Sequence, residues 1–141
     1  MEQNIIKGML KTLSDVYGLD YKYYADVDVE QGLQEPCFFV KSLITSQTPY
    51  PSQRLYRQYS FDVQYFPSAS NNNKEMREIG EELFSVFEIL ELLDGLTIRA
   101  VNMRHEIQNG ILHFFVDYNV FLDIDKDDVE DMEILEHITT V

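Results

Sequence analysis

The chain has 141 residues, a formal net charge of -14 and one cysteine, Cys37. This length predicts one domain, and the negative charge argues against binding to nucleic acid or to an anionic membrane, which would repel it. A single cysteine excludes an intrachain disulfide, and no run approaches the roughly 18 apolar residues of a membrane-spanning helix. We therefore expect an intracellular protein in which Cys37 is a small buried hydrophobic residue.

The first part of the chain predicts one helix and two strands. From Ile5 to Tyr17, apolar residues recur every three or four positions, the spacing of an amphipathic helix, and Gly18 is placed to end it. Residues 21–29 alternate as in a strand. Residues 38–45 begin with apolar side chains at every position, which favours a strand inside the sheet. Two prolines in residues 46–53 then predict an exposed loop.

Residues 55–66 carry the clearest strand pattern. Apolar and polar side chains alternate almost without error, and Pro67 follows at the start of a polar loop that runs to residue 73. This pattern predicts one long strand with a buried face and a mostly polar face. The polar positions are Arg54, Tyr56, Gln58, Ser60, Asp62 and Gln64.

Residues 74–93 predict a second amphipathic helix. Asn72 and Glu75 resemble a capping box with Asn in the first position, and Gly95 can end the helix. An apolar stripe runs along it, and we expect this stripe to pack on a sheet instead of binding a partner. Its members are Met76, Ile79, Leu83, Val86 or Phe87, Leu90 and Leu93.

A β-hairpin is predicted next. Asn109-Gly110 separates two strand-like segments, 96–108 and 111–124, and Asn-Gly is the strongest short-range hairpin signal. The apolar phase of the first arm changes within residues 99–102, which predicts a bulge or bend. His105 and His113 lie on the two arms and could face one another, although solvent-facing positions are the simpler interpretation.

Acidic side chains dominate the C-terminal segment, 125–141. From Asp123 to Glu136 there are eight acidic residues and one lysine. The spacing of Asp123, Asp125 and Asp127 is that of a calcium-binding loop, but Asp128 stands where the turn needs glycine and Ile134 where it needs glutamate. We therefore expect a solvated acidic tail or a short helix, and no metal site.

The predicted order of elements is α-β-β-β-α-β-β. Because helices interrupt runs of strands, we expect an α+β fold for residues 1–124, with a mainly antiparallel sheet of about five strands and two helices packed on one face. No hydrolase, phosphate-binding or dinucleotide-binding motif occurs. The sequence thus predicts no catalytic residue and no cofactor, and a small metal-dependent enzyme is the weaker alternative.

Four segments resemble the phage tail terminator family of tailed phages and prophages of Gram-positive bacteria. They are residues 35–40, 57–67, 109–114 and 117–120, and the order of elements agrees over roughly the whole chain. The shared motifs are a strand, a proline stop and a hairpin turn, which are structural features and not catalytic ones.

The resemblance implies a binding protein that works in the phage tail. Such proteins form a ring, commonly of six copies, on the head-proximal end of a finished tail tube. The ring stops polymerisation of the tube protein and offers a docking surface for head-completion proteins. The implied partners are other copies of the chain, the tail tube protein and a head-completion protein, and the implied location is the virion tail, reached through the host cytoplasm during assembly.

The residues expected to form these contacts lie along the long strand, in the loop 67–73 and in the acidic tail. They are Arg54, Tyr56, Arg57, Gln58, Gln64, Asn71, Asn72, Asp127 and Asp128. Solvent exposure without a partner is the alternative for the two arginines. A head-completion or head-tail joining protein is the neighbouring functional class, and a cytosolic protein whose acidic tail recruits a basic partner is a further one.

Overall fold

A six-stranded mixed sheet with two helices on one face organises the chain. The computed structural model describes residues 1–25, 33–51, 53–68 and 72–123. The elements are α1 (Glu2–Tyr17), a 3-10 turn (Gly18–Asp20), β1 (Lys22–Ala25), β2 (Cys37–Tyr50), β3 (Arg54–Phe66), α2 (Asn73–Glu88), β4 (Ile89–Glu91), β5 (Thr97–Gln108) and β6 (Ile111–Asp123).

The strands lie in the order β1-β2-β3-β6-β5-β4. β1 pairs with β2 in parallel, and the other four pairings are antiparallel. The predicted α+β class, with two helices on one face of a mainly antiparallel sheet, is confirmed. The sheet has one strand more than expected, because β4 was not predicted.

The core lies between the two helices and one face of the sheet. Alternate residues of β3 and β6 point to the helices, and the apolar stripes of α1 and α2 pack on them. Burying these side chains is the main source of stability, at about 1.5–3 kcal/mol for each large apolar residue. The fully buried members include Ile5, Met9, Leu13, Phe38, Phe61, Tyr65, Met76, Leu83, Phe87, Phe114 and Tyr118.

The predicted loop at residues 46–53 is wrong for most of its length. β2 continues to Tyr50, and residues 45–50 pair in antiparallel register with residues 54–59 of β3. Proline is compatible with a strand where its missing N–H would not face a paired neighbour. Pro49 satisfies this condition, because β1 pairs only with residues 37–40 of β2 and no described residue pairs with the outer edge at position 49.

The predicted second helix is too long. α2 ends at Glu88, and the next three residues form β4, which pairs with residues 97–99 of β5. Leu90 is still buried, but Leu93 is exposed. Gly95 has a positive φ of 91° in the turn between β4 and β5, so it shapes that turn instead of ending a helix.

Three local predictions are confirmed. Gly18 ends α1 with a φ of 78°, and Asn109 and Gly110 both adopt positive φ in the two-residue hairpin turn. The register of β5 against β6 shifts between Ala100 and Asn102, which is the expected bulge. Residues 26–29 of the first predicted strand and the acidic tail, 125–141, lie outside the described residues.

Candidate interaction surface

The second face of the sheet is a candidate interaction surface, because in the described part of the chain neither helix packs on it. We call it the open face. Its residues alternate with the core positions of the same strands, so polar side chains predominate. It includes Lys41, Arg54, Tyr56, Gln58, Ser60, Asp62, Gln64, Asn102, Arg104, Glu106, His113, Phe115, Asp117, Asn119 and Phe121.

A carboxylate and an imidazole meet at the centre of the open face. Asp62 Oδ2 lies 2.9 Å from His113 Nδ1 and accepts a hydrogen bond of 2.9 Å from Gln64 Nε2. Asp62 is only 5% exposed, and its Oδ1 has no partner among the described residues. A buried carboxylate oxygen without a donor is costly, so a donor from a bound partner or from water would stabilise it.

Next to this pair, the basic side chain of Arg104 stacks on the aromatic ring of Phe115. The guanidinium carbon of Arg104 lies 4.2 Å from the centre of the Phe115 ring, and the His113 ring stacks on the same phenyl group at 6.1 Å. A shallow groove of about 480 Å³ crosses the open face beside it. Its lining includes Leu43, Ile44, Ser60, Asn102, Arg104, Phe115 and Asp117.

Aromatic residues gather where β2 ends and β3 begins; we call this cluster the aromatic tip. The rings of Tyr50 and Tyr56 lie 5.5 Å and 4.9 Å from that of Phe121, and Arg54 stacks on Phe121 at 4.3 Å. Tyr50 and Phe121 are nearly half exposed. Exposed aromatic residues beside arginine are typical of protein contact surfaces.

The structure separates the predicted contact residues into four groups, of which the last is Asn72 alone. Arg54, Tyr56, Gln58 and Gln64 share the open face, as the alternation predicts. Arg57 does not, because its odd position points to the helix side, where it donates to Gln47 Oε1 and Tyr59 OH. Asn71, Asp127 and Asp128 lie outside the described residues.

Asn72 has a structural role in the described part of the chain. Its side-chain oxygen accepts a hydrogen bond from the backbone N–H of Glu75 at 3.2 Å, which caps α2 as predicted. Glu75 also accepts hydrogen bonds from Asn72 Nδ2 at 2.9 Å and from the hydroxyl of Tyr65 at 2.7 Å. This network joins the end of β3 to the start of α2.

The prediction that His105 and His113 could face one another is wrong. The hairpin register pairs His113 with Glu106 and His105 with Phe114, so the two rings lie on opposite faces. Each imidazole is only 18% exposed, and the solvent-facing interpretation fails for His105, which lies on the helix side of the sheet, whereas His113 lies on the open face. His105 packs against Phe84 of α2, with ring centres 5.3 Å apart.

The described residues offer little reactive chemistry. Cys37 is buried, as predicted, and burial raises the pKa of its thiol to about 11, which keeps it protonated at neutral pH. Among the residues of known placement, no group of three or more His, Cys, Asp or Glu side chains could hold a metal ion. No described helix is long and apolar enough to span a membrane.

Comparison with known proteins places the chain in a family. A search of curated proteins found no match. One solved structure, whose title is an identifier alone, has 11% sequence identity over 86% of this chain and 94% of that chain, with a TM-score of 0.40, which is too low to support an inference. The sequence matches the family described as phage tail terminator protein over residues 4–130. Because this match spans most of its length, the chain belongs to the phage tail terminator family.

Proposed function

We propose that this protein caps the head-proximal end of a phage tail tube, stops the addition of tube subunits and then provides the surface on which the head docks. The family match over residues 4–130 carries the proposal. Membership makes the protein a structural component of the phage tail that interacts with other tail components. In the proposed assembly it acts as a ring of copies, commonly six, without catalysis.

The shape of the open face supports a binding role. Enzyme sites are usually concave pockets with a few convergent polar groups. Here the sheet presents four long strands side by side, and the groove that crosses it is shallow. A broad face of this kind can contact another protein over many residues. We therefore assign the contact with the tail tube to the open face and the aromatic tip.

Tube length is the property that tests this function. Purified tail tube protein of the same phage would be polymerised with and without this protein, and tube lengths would be measured by negative-stain electron microscopy. We expect shorter tubes that carry a ring at one end. Unchanged lengths without end-bound protein would contradict the function. Binding to tail-less, portal-bearing heads but not to tubes would instead indicate a head-completion protein.

A matched pair of variants tests the assigned surface. Phe121→Ser removes an exposed aromatic side chain from the aromatic tip, and Val16→Ser removes an exposed apolar side chain of similar accessibility from α1. We expect Phe121→Ser to weaken capping at least about tenfold, as loss of an aromatic residue at an interaction hot spot does, and Val16→Ser to leave it unchanged. Equal capping by both variants would exclude the aromatic tip as the contact.

A further inference from the structure

The two margins of the sheet are stepped. On one margin, β1 covers only residues 37–40 of β2, and none of the described residues pairs with the outer edge of residues 45–50. On the other margin, β4 covers only residues 97–99 of β5, and within the described ranges nothing pairs with the outer edge of residues 103–108. Among the described residues, each margin therefore has one half that is paired and one half that is not; we call the latter the open half.

These steps are complementary in position. The register places β1 at the end of the sheet that carries the Asn109-Gly110 turn, since Cys37 pairs with Phe66 and Tyr65 with Leu112. It places β4 at the other end, where Tyr50 pairs with Arg54. When the β5 margin of one copy is set beside the β2 margin of another in the same orientation, β4 meets the open half of β2. In the same arrangement β1 meets the open half of β5.

The backbone of β2 is suited to such a contact. Successive backbone groups of a strand point alternately to its two neighbours, and the bond from the Lys22 N–H to the Pro36 carbonyl fixes this alternation for β2. The bulge between Ser42 and Thr45 shifts this alternation by one residue. Beyond the bulge, the backbone groups of Thr45, Gln47 and Pro49 point to the open edge. Proline at position 49 therefore removes no hydrogen bond to β3, and the N–H groups of Thr45 and Gln47 remain to donate to a neighbouring chain. An open edge of this kind is a template for pairing with another chain.

Exposed apolar side chains concentrate on the same two margins. Of the ten large hydrophobic side chains that the described residues expose, seven lie there. On the β2 margin they are Leu43, Ile44 and Tyr50, and on the β4–β5 margin they are Ile89, Leu93, Leu96 and Val101. Contiguous exposed apolar surface is typical of interaction sites. In the arrangement described above, both margins that meet would contribute exposed apolar side chains.

The segment around β4 and the open half of β2 differ in charge, although β5 itself carries Arg99 and Arg104. Residues 37–61, which form β2 and most of β3, contain three basic residues and no acidic one, in a chain whose net charge is -14. Residues 78–96, which include β4 and its turn, contain six acidic residues and no basic one. Arg54 and β4 also lie at the same end of the sheet, so the opposite charges coincide in the arrangement described above.

From these observations we infer that β4 of one copy docks beside residues 45–50 of β2 in the next copy, so that the sheet continues from subunit to subunit. β4 would run parallel to β2, and β1 antiparallel to the neighbour's β5. The contact joins two different surfaces of one chain, and a contact of this kind forms a ring when the rotation from copy to copy closes. The inference rests on the proposed function in that a tail terminator acts as a ring of copies.

Two single-cysteine substitutions test the contact. Thr48→Cys lies on the open half of β2 and Glu91→Cys on β4, both exposed, whereas the native Cys37 is fully buried and is therefore expected not to react. The two variants, one with a removable tag, would be treated with a short bismaleimide singly and mixed, both on tail tubes and in concentrated solution. We expect a cross-linked heterodimer from the mixture and no homodimer from either variant alone.

The controls separate this contact from other arrangements. Ser14→Cys lies exposed on α1 and, mixed with either variant, should give no cross-link. Homodimers of Thr48→Cys or of Glu91→Cys would indicate a symmetric contact between like margins and would overturn the inference. Absence of the heterodimer under both conditions would overturn it too.

Tube lengths measured on the same samples distinguish the two proposals. Capping without the heterodimer would contradict the contact and leave the proposed function standing. The heterodimer without capping would support the contact and contradict the function.

Charge reversal provides a second test. Arg54→Glu in the Thr48→Cys variant, or Asp94→Arg in the Glu91→Cys variant, places like charges across the contact. We expect each to lower the heterodimer yield about three- to tenfold, and the two together to restore it. Failure of the combination to recover any yield would mean that these margins do not face each other.

Discussion

The hydroxyl of Tyr118 donates a hydrogen bond of 2.7 Å to the backbone carbonyl of Phe87. This bond joins a central strand of the sheet to the last turn of α2, where carbonyl groups lack partners within the helix. Tyr118 is fully buried, so no solvent replaces the bond if it is lost.

Tyr118→Phe is expected to destabilise the fold by about 1–2 kcal/mol, because it leaves the Phe87 carbonyl without its donor in a buried position. Urea unfolding followed by circular dichroism measures the change. Tyr24→Phe is the matched control, since the Tyr24 hydroxyl accepts an exposed hydrogen bond of 3.3 Å from the Gln34 N–H. Equal unfolding midpoints for the two variants would show that the buried bond contributes nothing net.

Gly80 of α2 lies against His105 of β5. A Cβ atom at position 80 would approach His105 Nδ1 to 2.9 Å, and this imidazole is held against Phe84 and Phe114. Gly80→Ala should therefore destabilise the protein by about 1 kcal/mol or more, although alanine normally stabilises a helix interior by about that amount. The same substitution in a His105→Ala background should be stabilising. A double-mutant cycle from urea midpoints measures the coupling, and additive effects would exclude the clash.

Asn72 caps α2 through its side-chain oxygen. Asn72→Ala should cost about 1 kcal/mol of stability, because the Glu75 N–H loses its acceptor, whereas Asn72→Ser keeps an acceptor and should cost about 0.3 kcal/mol. Thermal unfolding compares the two variants. If the serine variant is as unstable as the alanine variant, the bond between Asn72 Nδ2 and Glu75, and not the cap, provides the stabilisation.

Sequence periodicity was sufficient to locate the elements whose burial alternates. α1, β3, β6 and the Asn109-Gly110 turn follow directly from it, because one face of each element packs on a single core. The end of β2 was missed because proline usually indicates a loop, and its tolerance at position 49 depends on the outer edge of β2, with which none of the described residues pairs there. β4 was missed because residues 89–93 continue the apolar pattern of α2, and only pairing with β5 favours a strand.

The candidate surface was predictable in part for the same reason. Alternation along β3 assigned Arg54, Tyr56, Gln58 and Gln64 to one face, and the odd position of Arg57 already separated it from them. The two-residue turn pairs Gln108 with Ile111, so the opposite orientation of His105 and His113 could have been counted from the sequence. The contact between Asp62 and His113 could not, because it depends on the pairing of strands 51 residues apart.

Cys37 is expected to react only when the protein unfolds. Burial raises the pKa of its thiol from 9.0 to about 11, which lowers the reactive thiolate fraction at pH 8 about 100-fold, and the side chain is also inaccessible. Reaction with an aromatic disulfide reagent, measured by absorbance, should therefore be at least that much slower in buffer than in guanidinium chloride. A fast native reaction would indicate that β2 opens near its start.

Stability should fall at alkaline pH. Burial raises the pKa of Tyr17, Tyr65 and Tyr118 above the ordinary value of 10.0, and that of Cys37 above 9.0. The folded state therefore holds protons that the unfolded chain releases. The free energy of unfolding should change little through these groups below about pH 9 and decrease above it, by up to about 1.4 kcal/mol per pH unit for each group.

Urea unfolding at a series of pH values between about 8 and 11 measures this dependence, and the near-ultraviolet absorbance of tyrosinate reports when the hydroxyls ionise. We expect the buried tyrosines to ionise together with unfolding instead of before it. Tyr118→Phe should lose stability less steeply with pH than the parent chain, because phenylalanine carries no proton to release. A parallel decline in both proteins would show that Tyr118 is not among the groups that make the fold sensitive to alkali.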